Sequence, residues 1–111
     1  MSQGDVGGLL AKAQQMQERL VQLQQELARR TVEAQAGGGM VSVVATGDLR
    51  IRSVKIEPSL LETGDLDMLQ DLVAAAVNAA LAQAQRMVQE EMQKAAGMAG
   101  LPGLGNLTGG A

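Results

Sequence analysis

Arg29, Arg30, Arg50, Arg52 and Lys55 stand in one stretch of this chain against only Glu33 and Asp48. Guanidinium and ammonium groups at that local excess suit contacts to an anion such as phosphate; the plainer role is to solvate a sheet face. The next stretch reverses the sign. Glu57, Glu62, Asp65, Asp67 and Asp71 follow with no base among them. Acids there complement the positive end of a helix about to begin. The other use for them, a divalent cation site, finds no calcium-loop spacing. Across all 111 residues the formal charge is −3. With a pI near 4.8, the net value does not suggest a polyanion binder. Any anion contact must come from the uneven distribution of charge.

Gly37-Gly38-Gly39 invites comparison with a phosphate-cradling loop. No Lys-Ser or Lys-Thr follows, and the next segment reads as a strand rather than a helix, so a turn is the better assignment. The chain has no Cys, His, Phe, Trp or Tyr. That removes disulfides, thiol nucleophiles, imidazole acid–base chemistry and the usual transition-metal sites. It also removes the aromatic platform on which single-stranded bases stack. Only unlinked carboxylates, Lys, Ser and Thr remain for catalysis. The chain is therefore expected not to be an enzyme, and to use no cofactor, metal or small-molecule substrate.

The elements that position these charges are legible from periodicity. Val6, Leu9, Ala13, Met16, Leu20, Leu23 and Leu27 recur at alternating spacings of three and four, an apolar seam along a helix. At 1.5 Å per residue the seam extends roughly 33 Å. It either lies on the chain's own sheet or pairs with a partner helix. Asp5 is a candidate N-cap, and Arg29-Arg30 suit the negative helix end. Thr31–Ala36 alternates as a first strand. Met40–Thr46 and Leu49–Ile56 follow as second and third, joined by a hairpin at Gly47-Asp48. The third strand carries a conflict of parity: Leu49 and Ile51 share one face, Val54 and Ile56 the other. Either a bulge near Ser53 swaps the faces or both faces are partly covered. Pro58 ends the strand.

A second helix is expected from Asp65 or Asp67 to about Ala96. From Leu72 to Ala82 only Asn78 is polar. A helix apolar nearly all round must be covered on several sides, and a chain this small has little to cover it with. An intertwined homodimer is therefore expected, with Leu72, Val73, Ala76, Val77, Ala80 and Leu81 at the interface. The fold class is α+β: a long N-terminal helix, a three-stranded antiparallel sheet and a long C-terminal helix, one domain over 1–96. The glycine-rich tail 97–111 is expected to be disordered, with transient docking of Leu101, Leu104 and Leu107 as the alternative. No signal peptide or membrane span is discernible, so a cytoplasmic location is expected.

Three stretches carry a resemblance to a known family: AQQMQE at Ala13–Glu18, IEPSLL at Ile56–Leu61 and DLVAAAVNAA at Asp71–Ala80. Together with the segments between them, from Leu9 to Met92, the chain closely resembles the YbaB/EbfC nucleoid-associated proteins. The resemblance implies a bacterial cytoplasmic homodimer with tweezer-like projecting helices. It implies binding of double-stranded DNA, association with the nucleoid, altered DNA conformation, and roles in gene regulation and DNA protection. It carries over no catalytic motif. Lys12, Arg19, Arg86 and Lys94 on the helices would then join the five bases of the sheet region as candidate phosphate contacts. A protein-interaction scaffold or prefoldin-like polypeptide clamp, using the apolar helix stripes without direct DNA binding, is the alternative.

Overall fold

The computed structural model describes residues 3–98. The elements are α1 (Gln3–Arg29), β1 (Thr31–Ala36), β2 (Val41–Thr46), β3 (Ile51–Ile56), α2 (Pro58–Glu62) and α3 (Leu66–Met98). Helix α3 runs through Gly97 and Met98, into the glycine-rich tail expected from Gly97, and residues 99–111 lie outside the described residues. Asp5, the expected N-cap of α1, lies inside that helix. The chain forms two compact units, Leu27–Glu90 and a second made of Met1–Glu26 with Glu91–Ala111.

In the Leu27–Glu90 unit the sheet is antiparallel in the order β1-β2-β3. Val41, Val43 and Ala45 on β2 are fully buried, and Ala34 on β1 nearly so. Ala76, Ala80 and Ala84 recur every fourth residue on α3, share one face and are fully buried in the same cluster. Methyl-sized side chains there let the helix approach the sheet closely, and alanine also favours the helix itself. Leu60 joins them, and burial of a side chain of that size contributes about 1.5–3 kcal/mol. Ala76 and Ala80, expected between two chains, are thus buried within one. Leu72, Val73, Val77 and Leu81 are half-buried beside them, while Ala74, Ala75, Ala79 and Ala82 are exposed.

The parity conflict in β3 resolves as a bulge. Val43 faces Val54 and Val44 faces Ser53, but Ala45 faces Ile51, which leaves Arg52 as the extra residue. One residue out of step swaps faces. Ile51, Val54 and Ile56 therefore share the face of Val41, Val43 and Ala45. β3 begins at Ile51 rather than Leu49 because Leu49 has φ 63°, in the left-handed region. The hairpin is a three-residue loop: the Leu49 N–H donates to Thr46 O and the Thr46 N–H to Arg50 O, each at 2.9 Å. Glycine usually takes that left-handed position, and a leucine there costs about 1–2 kcal/mol. The other turn places Gly37, Gly38 and Gly39 at φ 63°, 65° and 95°, which glycine alone adopts readily in succession.

The exit through Ile56–Leu61 contains a short helix, α2, which the sequence reading took only as a strand terminator. Pro58 at its first position both ends β3 and begins α2. Thr63 Oγ1 donates to Leu60 O at 2.7 Å, and Gly64 turns left-handed at φ 71°. Asp65 then caps α3: its Oδ1 accepts the Met68 N–H at 3.0 Å.

In the other unit, the α1 seam is exposed from Val6 to Leu20 and half-buried at Leu23. Val6, Leu9, Met16 and Leu20 are 50, 62, 42 and 43% exposed. Among the described residues, no helix is long and apolar enough to cross a membrane.

Candidate nucleic-acid interface

One end of the sheet gathers Arg29, Arg30, Arg50 and Arg52, four of the five bases of the sheet region. Thr31 opens β1 directly opposite Thr46, which closes β2. Arg29 and Arg30 precede the first; Arg50 and Arg52 follow the second through the hairpin tip. The tip is fastened to that corner by the Gly47 N–H, which donates to Arg30 O at 3.0 Å. Gly47 is seated so closely that an added Cβ would lie 2.6 Å from the Leu27 carbonyl carbon and 3.3 Å from Met87 Cε. Met87 belongs to α3, where the adjacent Arg86 turns away from the face that Ala76, Ala80 and Ala84 bury. Arg29, Arg30, Arg50, Arg52 and Arg86 are all exposed.

Lys55 does not join them. It pairs with Ser42, which pairs with Gln35, at the glycine-turn end of the sheet. It stands four positions beyond Ile51, at most roughly 13 Å along an extended strand. On that outer face Glu33 accepts hydrogen bonds from Gln35 at 3.4 Å and Ser42 at 3.3 Å. Arg50 and Arg52 also depart from the simple expectation for residues two apart on a strand. Arg50 precedes β3 and Arg52 is the bulged residue, so strand alternation does not govern the pair.

Asp48, the acid at the hairpin tip, is engaged. Asp48 Oδ1 accepts a hydrogen bond from Thr46 Oγ1, and Oδ2 lies 3.6 Å from Arg50 Nε. This pair is solvent-exposed and of little energetic weight, but it holds the carboxylate beside its own counterion. Asp65 and Asp67 in the acidic stretch sit at the start of α3, where a cap and the helix dipole account for them. Among the described residues, no group of three or more carboxylates could hold one metal ion.

The other helical bases belong to the second unit. Lys12, Arg19 and Lys94 are exposed in the Met1–Glu26 and Glu91–Ala111 unit, and Lys94 Nζ lies 3.6 Å from Glu91 Oε1. Sequence reasoning located the basic excess but missed its division between the two ends of the sheet. It also missed the part played by Gly47. The available signal was the glycine itself, read as a turn former when close backbone packing requires it.

The sequence profile of the YbaB/EbfC DNA-binding family matches residues 3–99. A nucleoid-associated protein of Acetivibrio thermocellus is 47% identical over 102 residues, covering 91% of this chain and 90% of that protein. One from Pelotomaculum thermopropionicum is 45% identical over 104 residues, covering 94% and 99%. Among solved structures, uncharacterized protein HP0035 from Helicobacter pylori superposes with a TM-score of 0.56 at 30% identity, covering 90% of this chain and 99% of that one.

Proposed function

This chain belongs to the YbaB/EbfC DNA-binding family, and on that premise we propose that it binds double-stranded DNA as a homodimer. In doing so it alters DNA conformation in the bacterial nucleoid, with consequences for gene regulation and DNA protection. The observation that carries this reading is the basic corner. An acidic chain holds a polyanion only where its bases are gathered and its acids are held elsewhere or neutralised. Arg29, Arg30, Arg50 and Arg52 support the first condition, and the Asp48 contacts and the capping role of Asp65 support the second; Arg86 on α3 is a further candidate. Contacts of this kind go to phosphate and carry little sequence information. Lys12, Arg19, Lys94 and Lys55 are candidates for further phosphate contacts. The role is one of binding, without catalysis.

The dimer is supported by apolar surface that one chain leaves uncovered. Ile51 and Val54 lie on the core-facing side of β3, yet are 38 and 43% exposed. The half-buried Leu72, Val73, Val77 and Leu81 offer further area, as does the exposed alanine face of α3. A two-fold axis would bury the same patch on both copies and double the basic corners.

A second reading, a polypeptide clamp, is favoured by the uncovered apolar residues of α1. Titration of duplex DNA at two salt concentrations separates the two. Phosphate binding weakens steeply as salt rises because counterions are released. Clamping through apolar stripes does not weaken with salt, and an absence of salt-sensitive duplex binding would favour the clamp.

A further inference from the structure

We propose that Leu49 is an apolar wedge that enters a base step of duplex DNA and kinks it, while Arg50 and Arg52 hold the flanking phosphates. This rests on the DNA-binding reading above and deepens it by naming the inserting residue. The first observation is a conformational cost that the chain does not recover in its own core. Leu49 holds φ 63° at a position that glycine or asparagine fills without strain. It is 45% exposed and lies outside the core cluster. A side chain kept in a strained, solvent-facing position points to a contact made with another molecule.

The second observation is that the backbone presenting Leu49 is fixed. The two hydrogen bonds of the loop hold its conformation, and the Gly47–Arg30 bond fastens the loop to the start of the sheet. The third is chemical surroundings that match a DNA duplex. Arg50 follows the leucine directly and Arg52 lies three residues beyond it, while the preceding acid, Asp48, is engaged by Thr46 and Arg50. Proteins that kink DNA insert Leu, Ile, Met, Phe or Pro between base pairs and place cationic side chains along the groove. Pyrimidine–purine steps unstack most easily and are the expected point of insertion.

The test uses the full-length protein and a duplex of about 25 base pairs. The duplex carries a dye at each end and 2-aminopurine at a central TA step. The wild-type protein is expected to shorten the end-to-end distance and raise the 2-aminopurine fluorescence. Leu49→Asn, which tolerates the left-handed position, should abolish both signals and weaken binding about tenfold. Its salt dependence should be unchanged, because the phosphate contacts remain. Its melting temperature should hold or rise by a few degrees as strain is relieved. Leu49→Met should keep the kink. If Leu49→Asn kinks the duplex as the wild type does, the wedge is refuted. A variant that separates into single chains would assign Leu49 to a contact between copies and equally refute it. A wild-type protein that binds the duplex without kinking it removes the wedge and leaves the DNA-binding reading standing. One that fails to bind at low salt removes both.

Discussion

The Gly47 N–H donates to the Arg30 carbonyl oxygen at 3.0 Å, which ties the tip of the β2–β3 hairpin to the exit of α1. The bond explains why bases about twenty residues apart in sequence share one corner. It also explains the glycine, since any Cβ at that position would collide with the Leu27 carbonyl.

Gly47→Ala should therefore destabilise the fold by about 1–3 kcal/mol, as overpacking does when backbone must move. For a chain of this size that lowers the melting temperature by at least about 4 °C. Thermal melts of the wild type and variant check it. An unchanged melting temperature would mean that the hairpin tip is not seated against α1.

Ala80 and Ala79 are neighbours on α3 with opposite fates: the first is fully buried against the sheet and the second exposed. Ala80→Glu should prevent folding, because a carboxylate would be buried with no partner. Ala79→Glu should leave the helical signal in circular dichroism intact. Folded Ala80→Glu protein would contradict the packing of α3 on the sheet.

The sequence carried much of this architecture, for identifiable reasons. The parity conflict in Leu49–Ile56 left a bulge near Ser53 or cover on both faces as alternatives, and the structure has a bulge, at Arg52. The alternation of Thr31–Ala36 marked a strand where one occurs, and of the two helix starts expected, Asp65 and Asp67, the structure takes the first as its cap. The left-handed turn at Leu49 was not legible, because leucine is a poor marker for positive φ and a good one for a strand. Helix α2 was hidden because Pro58 signals the end of a strand as strongly as the start of a helix. The alanine-rich stretch said that α3 must be covered, but composition cannot distinguish cover by the chain's own sheet from cover by a second copy. The structure gives Ala76 and Ala80 to the former. The basic cluster was visible as a count; its split, with Lys55 at the far end of the sheet, follows from strand length and register.

If the uncovered face of β3 meets a second copy, the protein should sediment as a dimer of 11.5 kDa chains at micromolar concentration. Val54→Asp should shift the equilibrium toward single chains, since a charge would enter the apolar contact. Sedimentation equilibrium showing a folded wild-type monomer across that range would contradict the dimer.

The central claim is that the arginine corner holds DNA phosphates, and the direct measurement is duplex affinity at 50 and at 200 mM salt. With about four phosphate contacts per dimer, the wild-type protein should lose roughly a hundredfold in affinity over that interval. Arg50→Gln combined with Arg52→Gln should bind all duplex sequences more weakly and show a flatter salt dependence, with the same melting temperature as the wild type. A double variant that keeps both the wild-type affinity and the wild-type salt dependence would show that the corner is only a solvated surface.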